Sequence, residues 1–237
     1  MQTKLYGRRR FKNEVYGQLA RIGKALASPR RLELLELICQ AERSVEQLAG
    51  ETGMSVANTS QHLHALHEVH LVQSPREGRF VVYGLADVLV SDFYRSFRLL
   101  AEDRLAEIER IRQHFFSTEQ ELTAVNRDTL LERVRRGKVV VIDVRPVKEY
   151  QTAHIPQALS IPLQELRERL SELPRNKTIV AYCRGPYCVL AAEAVQVLTA
   201  RGFRAFRQED SVDDWRARGL PVSVETESFP MQRHIDE

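Results

Sequence analysis

Apolar residues recur at helical spacing through the first forty positions, at Val15, Leu19, Ile22 and Leu26 and again at Leu32, Leu35 and Ile38. Positions three and four apart share one face of a helix, so the pattern predicts two amphipathic helices. Ser28-Pro29 separates them, with Ser28 as the cap and Pro29 at the first helical position, where a missing N–H costs nothing. Ser44 and Gln47 have the form of a capping box and open a short helix over 45–51. Thr52-Gly53-Met54 is a tight turn. Ser55 caps a further helix to about Glu68 that turns Thr59, Leu63 and Leu66 inward. The runs 71–74 and 79–83 flank a charged, Gly-containing tip at 75–78 and predict a hairpin. A long stripe then occupies 88–116, at Leu89, Phe93, Phe97, Leu100, Leu105, Ile108, Ile111 and Phe115. A continuous stripe of that length predicts burial against a second copy of the chain.

The pattern changes after a polar stretch at 117–126. Leu130, Leu131 and Val134 mark a helix, and Val139-Val-Val-Ile142 is a continuous apolar run, as a strand buried on both faces requires. Helices are expected at 165–170 and at 189–201, the latter closed by Gly202, and strands at 178–182 and 204–206. Strands alternating with helices predict a parallel sheet covered by helices. The fold class is therefore a mainly-α winged helix-turn-helix followed by an α/β domain. The expected divisions are 1–116 for DNA binding and dimerisation, 117–126 as linker, 127–224 as the α/β domain, and 225–237 as a polar tail.

Helix, turn, helix and hairpin place the helix from Ser55 in a DNA major groove. Its groove-facing candidates are Val56, Ala57, Asn58, Ser60, Gln61 and His64. Asn and Gln read adenine edges with paired hydrogen bonds, and small residues let the helix sit deep. Arg76, Arg79 and Arg30 are phosphate candidates, which position the protein without reading sequence. The net charge of +3 over 237 residues says little by itself, but Lys4, Arg8, Arg9, Arg10 and Lys12 all precede the first acidic residue, Glu14. Such a basic arm either tracks phosphates or is a solvated start.

Leu26-Ala-Ser-Pro-Arg-Arg-Leu32, Ser60-Gln-His-Leu-His-Ala-Leu66, Leu71-Val72 and Arg76-Glu-Gly-Arg79 resemble the ArsR/SmtB repressors over about 14–116. The resemblance implies a homodimer on an inverted-repeat operator in double-stranded DNA, released by an inducer. His70 stands where that family usually has Gly. The family's metal-ligand sets are not matched by Asp92, Asp103 and His114. The cluster His62, His64, His67 and His70 lies on the reading helix and just beyond it, where a metal would collide with DNA. No metal site is expected, and Cys39 reads as a small apolar core residue.

Val180-Ala-Tyr-Cys-Arg-Gly-Pro-Tyr-Cys188, followed by an apolar helix, reads as strand, tight loop and helix. A thiol at Cys183 would meet converging amides and a helix N-terminus, both of which favour thiolate. Asp143 and Arg145 leave a strand end and brace the neighbouring loops. With Glu149-Tyr150, His154-Ile-Pro156, Ile161-Pro162 and Trp215-x3-Gly219-Leu-Pro221, this string resembles a rhodanese domain over about 122–224. The resemblance implies a Cys183 persulfide formed from a sulfane-sulfur donor and passed to a thiol acceptor, with no cofactor. Arg184 would support the anion and Cys188 would resolve or relay the sulfur. Two departures stand out: Pro186 removes an amide, and Cys188 replaces a basic residue. Asp210-Ser211 also stands where that family usually has Gly-Gly.

The combined expectation is a DNA-binding regulator, most simply a repressor, that takes up sulfane sulfur for sensing. Two alternatives stay open: a thiosulfate or persulfide sulfurtransferase whose DNA-binding half only regulates its own operon, and a repressor with an inactive rhodanese module. No apolar run is long enough for a bilayer, and the start lacks an apolar signal core, so the expected location is the cytoplasm, away from membranes.

Overall fold

The structure, a computed structural model, describes residues 2–74, 76–77, 80–117 and 138–225. These form two compact units, Met1–Arg98 and Leu99–Glu237. The helix expected around Leu130, Leu131 and Val134, the linker beyond Ser117 and the tail after Glu225 lie outside the described residues.

In the first unit, α1 (Gln2–Leu26) and α2 (Pro29–Gln40) are separated at Ser28-Pro29, with Pro29 at the start of α2. The basic arm forms the first turns of α1, where Arg10 pairs with Glu14 at 2.8 Å. Short β1 (Arg43–Ser44) leads into α3 (Val45–Thr52), capped by Ser44 and Gln47 reciprocally. Gly53 closes α3 with φ +66°, the left-handed conformation that glycine adopts without a Cβ clash. Then follow α4 (Val56–His67), β2 (Val72–Gln73), β3 (Arg76–Glu77) and β4 (Phe80–Leu85). Strand β4 pairs antiparallel with β1, β2 and β3, so the wing is tied back to the helical body through β1. Leu34, Leu35, Leu48, Leu63 and Leu66 are fully buried at the centre of this unit. Only glycine turns smoothly where His70 sits, yet His70 adopts φ 58° there, and the turn from α4 to β2 is kept.

The stripe over 88–116 is not one helix. It divides into α5 (Val88–Arg104) and α6 (Ala106–Ser117), interrupted at Leu105. Apolar periodicity continues through the break, which is why the pattern alone reads as unbroken.

In the second unit, β5 (Val139–Asp143), α7 (Val147–Thr152), β6 (Leu159–Ser160), β7 (Thr178–Tyr182), α8 (Leu190–Ala200), β8 (Ala205–Gln208) and α9 (Val212–Ala217) follow in order. The sheet is parallel, in the order β6-β5-β7-β8. Successive side chains on β5 and β7 enter opposite cores. Ile142, Ile179 and Ala181 join Ala191, Val195 and Leu198, while Val139, Val141, Val180 and Tyr182 join Tyr150, Val212 and Trp215. The apolar runs are continuous because both faces are covered. The helix expected over 165–170 is a chain of turns ending in a 3-10 segment, Leu170–Glu172. Helices α7 and α9 were not foreseen, since each is too short to show a periodic stripe. Among the described residues, no helix is long and apolar enough to cross a membrane.

Candidate functional site

Helix α4 is built to show one face. Ser55 accepts the N–H of Asn58 at 3.3 Å, and the Thr59 hydroxyl donates to the Ser55 carbonyl at 3.0 Å. Thr59, Leu63 and Leu66 are fully buried. Val56, Ala57, Asn58, Gln61 and His64 are thereby left exposed and Ser60 half-buried on the opposite side. Arg76 sits in β3 opposite Val81, and Arg79 lies outside the described residues. Arg30 is exposed and paired with Glu33 at 2.9 Å. Cys39 is half-buried against the core of this unit. No group of three or more His, Cys, Asp or Glu among the described residues is arranged to hold a metal.

The first unit also carries an apolar cleft of about 800 Å³ between α1 and α5, with Leu19, Ile22, Leu89, Phe93 and Phe97 among its lining residues. Leu89 is 71% exposed. A cleft of this size lined by aromatic and aliphatic side chains is surface that water leaves readily.

The second unit centres on the loop over 183–189, between β7 and α8. A buried ion network supports it from below. Asp143 takes Arg145 in a bidentate grip, with Nη2 to Oδ2 at 2.7 Å, and also accepts the Arg145 backbone N–H at 3.0 Å. Both side chains are essentially inaccessible. Arg145 donates further to the Ala153 carbonyl at 2.7 Å and lies over the Tyr182 ring, so the end of β5 is fixed to the loop after α7 and to the last residue of β7. Glu149, four residues beyond Arg145, lies within 3.8 Å of it and holds the Arg184 guanidinium at 2.6 to 3.1 Å. The sequence shows Glu149 beside Tyr150 without indicating a role for it. The signal was available in the Arg145/Glu149 spacing on a helical turn, but its second partner comes from a distant loop.

Arg184 therefore does not stand open to an incoming anion. Its guanidinium is occupied by Glu149, and what it offers the loop is a backbone N–H and a nearby positive charge. The other wall of the loop is Ser211, whose Cβ lies 3.5 Å from the place a side chain would occupy at Gly185, a residue at φ +137°. Ser211 and Asp214 form a reciprocal cap on α9. Ser211 thus serves the helix start, Asp210 accepts from Gln208 and Arg218, and Gly185 is required by its backbone conformation.

The two loop thiols differ sharply. Cys183 is 1% exposed and packs in the core with Ile142, Ala191 and Ala194. Its thiol donates to the Cys188 carbonyl at 3.5 Å. Burial pushes the Cys183 thiol well above the ordinary range, the neighbouring Cys188 sulfur adds to this, and the Ala191 and Gly185 amides offset only part. Cys188 is half-buried. A hydrogen bond from Cys183, the Arg184 and Leu190 amides and the Arg184 charge bring its pKa down to about 6, against the opposing effect of its own burial. The thiolate expected at Cys183 is opposed there by burial, while the hydrogen bonds and nearby charge at Cys188 favour the anion on that sulfur.

The consequence is measurable. Alkylation of Cys188 by iodoacetamide, mapped by peptide mass spectrometry, is expected to rise with pH through a midpoint of about 6 and then level off. An unperturbed thiol keeps gaining reactivity toward pH about 8.5. A rate still climbing steeply at that pH would place the charge elsewhere.

Helix α6 lies against this loop within the second unit. Arg207 sits 3.8 Å from the centre of the Phe116 ring, Arg112 pairs with Glu209 at 3.1 Å, and the Tyr187 hydroxyl donates to Glu102, at the end of α5, at 2.7 Å. Ile108, Ile111, Phe115 and Phe116 form an apolar cleft of about 260 Å³ with Tyr187 and Val189, the two residues flanking Cys188.

Comparison with known proteins joins these two sites to known families. Residues 28–74 match the bacterial regulatory protein, arsR family, and residues 126–218 match the rhodanese-like domain. The HTH-type transcriptional regulator Rv0324 of Mycobacterium tuberculosis is 42% identical over 205 residues, covering 86% of this chain and 90% of that protein. A probable mercury resistance operon repressor of Streptomyces lividans is 34% identical over 90 residues, 38% of this chain and 72% of its own length. A sulfurtransferase of Allochromatium vinosum is 29% identical over 85 residues, 35% of this chain and 78% of its own.

Proposed function

The chain belongs to the arsR family of bacterial transcriptional regulators and carries a rhodanese-like domain behind its winged helix-turn-helix, and from that premise we propose that it is a cytoplasmic repressor that senses sulfane sulfur. Two copies pair through the apolar cleft of α1 and α5 and present two α4 helices to the half-sites of an inverted repeat in duplex DNA. Val56, Ala57, Asn58, Ser60, Gln61 and His64 face the base edges, and Arg76 and Arg79 supply phosphate contacts. The loop over 183–188 takes up sulfur from a persulfide-class donor, and a thiol acceptor resets it.

The observation that carries the sensing half is the pair of free thiols in one loop, the Cys183 thiol hydrogen-bonded to the Cys188 carbonyl, in a chain with an exposed α4 face. Thiosulfate is a poor fit as donor. It is a dianion, the nearest guanidinium is already paired with Glu149, and Pro186 offers no amide.

The test is a fluorescence-anisotropy titration of operator DNA with and without sodium tetrasulfide. Wild-type affinity is expected to fall at least about tenfold, equivalent to about 1.4 kcal/mol. The double variant Cys183→Ser/Cys188→Ser is expected to bind DNA normally and to ignore tetrasulfide. A double variant that responds like wild type refutes sensing by this loop.

A further inference from the structure

We infer that the loop works in the reverse order from the family resemblance: Cys188 attacks the donor first, and Cys183 resolves the product from below, closing a Cys183–Cys188 disulfide and releasing hydrogen sulfide. This rests on the sulfur-uptake reading and assigns its chemistry.

Three observations carry it. Access comes first. Cys183 is 1% exposed within the core, whereas Cys188 is half-buried and lies between the two loop residues that line the cleft against α6. A donor entering from solvent meets Cys188 before Cys183. Hydrogen bonding comes second. The Cys183 thiol donates to the Cys188 carbonyl at 3.5 Å, which keeps a proton on the inner thiol while that bond is made. The third is the missing oxyanion seat. With Arg184 held by Glu149 and Pro186 lacking an N–H, the sulfite that thiosulfate would expel finds little support over Cys183. A hydropersulfide, R–S–SH, gives up its outer sulfur and releases RS⁻, a singly charged group that water protonates, and needs no such seat.

The steps balance without an added oxidant. The Cys188 thiolate attacks the outer sulfur of R–S–SH. The S–S bond of the donor breaks, a Cys188–S–SH persulfide forms, and RS⁻ leaves and takes a proton from water. The Cys183 thiol, losing its proton, then attacks the Cys188 sulfur. The Cys188–SH bond of the persulfide breaks, HS⁻ leaves with that proton as H₂S, and a disulfide remains. The two cysteines are oxidised by two electrons, and the sulfane sulfur is reduced to sulfide. Exchange of this kind proceeds through a thiolate attacking in line and a stable leaving sulfur. The output is a covalent switch in the loop gripped by α6, and an external thiol is needed only for resetting.

The experiment treats the full chain with sodium tetrasulfide under anaerobic conditions and follows intact mass, peptide mapping and released sulfide. Wild type is expected to lose two hydrogens, with a disulfide linking Cys183 and Cys188. Cys183→Ser is expected to stop at one added sulfur on Cys188, and Cys183→Ala, which keeps an apolar group in the core, to do the same. Cys188→Ser, a change at the half-buried position, is expected to slow uptake at least tenfold, by the loss of the accessible thiolate. A Cys188→Ser protein that gains a persulfide on Cys183 at the wild-type rate overturns the assigned order while leaving sulfur uptake standing. No sulfur and no disulfide on any of these proteins overturns both.

Discussion

Replacing Asp143 by alanine is expected to lower the melting point of the second unit by roughly 15 to 30 °C. Asp143 and Arg145 are 0% and 1% exposed, so neither charge has water to fall back on. Removing one partner leaves the other buried and uncompensated, which costs about 3 to 5 kcal/mol. Arg145 would lose three side-chain contacts to the carboxylate, while the Ala153 carbonyl, the face of the Tyr182 ring and Glu149 at 3.8 Å remain beside it. Glu149 then has to serve both Arg145 and Arg184, and the thiol loop loosens with it. The measurement is simple, because the chain has a single tryptophan. Trp215 is fully buried in this unit, with its ring N–H bonded to the Pro221 carbonyl at 3.0 Å. Its fluorescence on heating therefore reports this unit alone. The companion change Asp143→Leu/Arg145→Met removes both charges and is expected to recover much of the loss, since the cost lies in the orphaned ion. A melting point within about 3 °C of wild type for Asp143→Ala would show that the pair contributes no more than a surface bridge.

Ala57→Glu is expected to weaken operator binding at least about a hundredfold while leaving the protein as stable as before. Ala57 is exposed in the first turn of α4, on the face opposite Leu63 and Leu66. A carboxylate there is favourable for the helix itself, because the first turn is the positive end of its dipole. In a DNA groove the same charge faces phosphates on both sides, and each bound copy of the chain brings its own. Like charges brought together at a desolvated interface cost several kcal/mol. The two effects thus point in opposite directions, and a melting curve run beside the anisotropy titration separates them. If Ala57→Glu binds operator like wild type, α4 is not the helix that enters the groove.

These two substitutions also mark the limits of what periodicity reveals. The inward face of α4 follows directly from Thr59, Leu63 and Leu66, whose spacing leaves one arrangement for a helix packed on one side. The double-sided burial of β5 and β7 follows from their unbroken apolar runs. By contrast, the break at Leu105 is invisible in the pattern, because apolar residues continue on both sides of it. The turns at 163–169 read as helix for a similar reason: Leu163, Leu166 and Leu170 have helical spacing, yet Arg169 satisfies the Ser160 carbonyl and Glu165 in place of a regular backbone ladder. Helices α7 and α9 are single short turns whose existence depends on the loops they brace. The capping residues Ser44, Ser55 and Ser211 act through neighbours within three positions, and the first two were legible for that reason.

The amino-acid order by itself determined the two-part architecture, the exposed face of α4, and the strand, loop and helix that hold two cysteines, because each depends on neighbours close in the chain. How deeply each cysteine is buried was decided by tertiary structure alone. Desolvation depends on what lies within a few ångströms in space, and the atoms that bury Cys183 come from β5, α8 and the chain between them. The same holds for Arg184, which sequence places beside the sulfur and the fold gives to Glu149, 35 residues earlier.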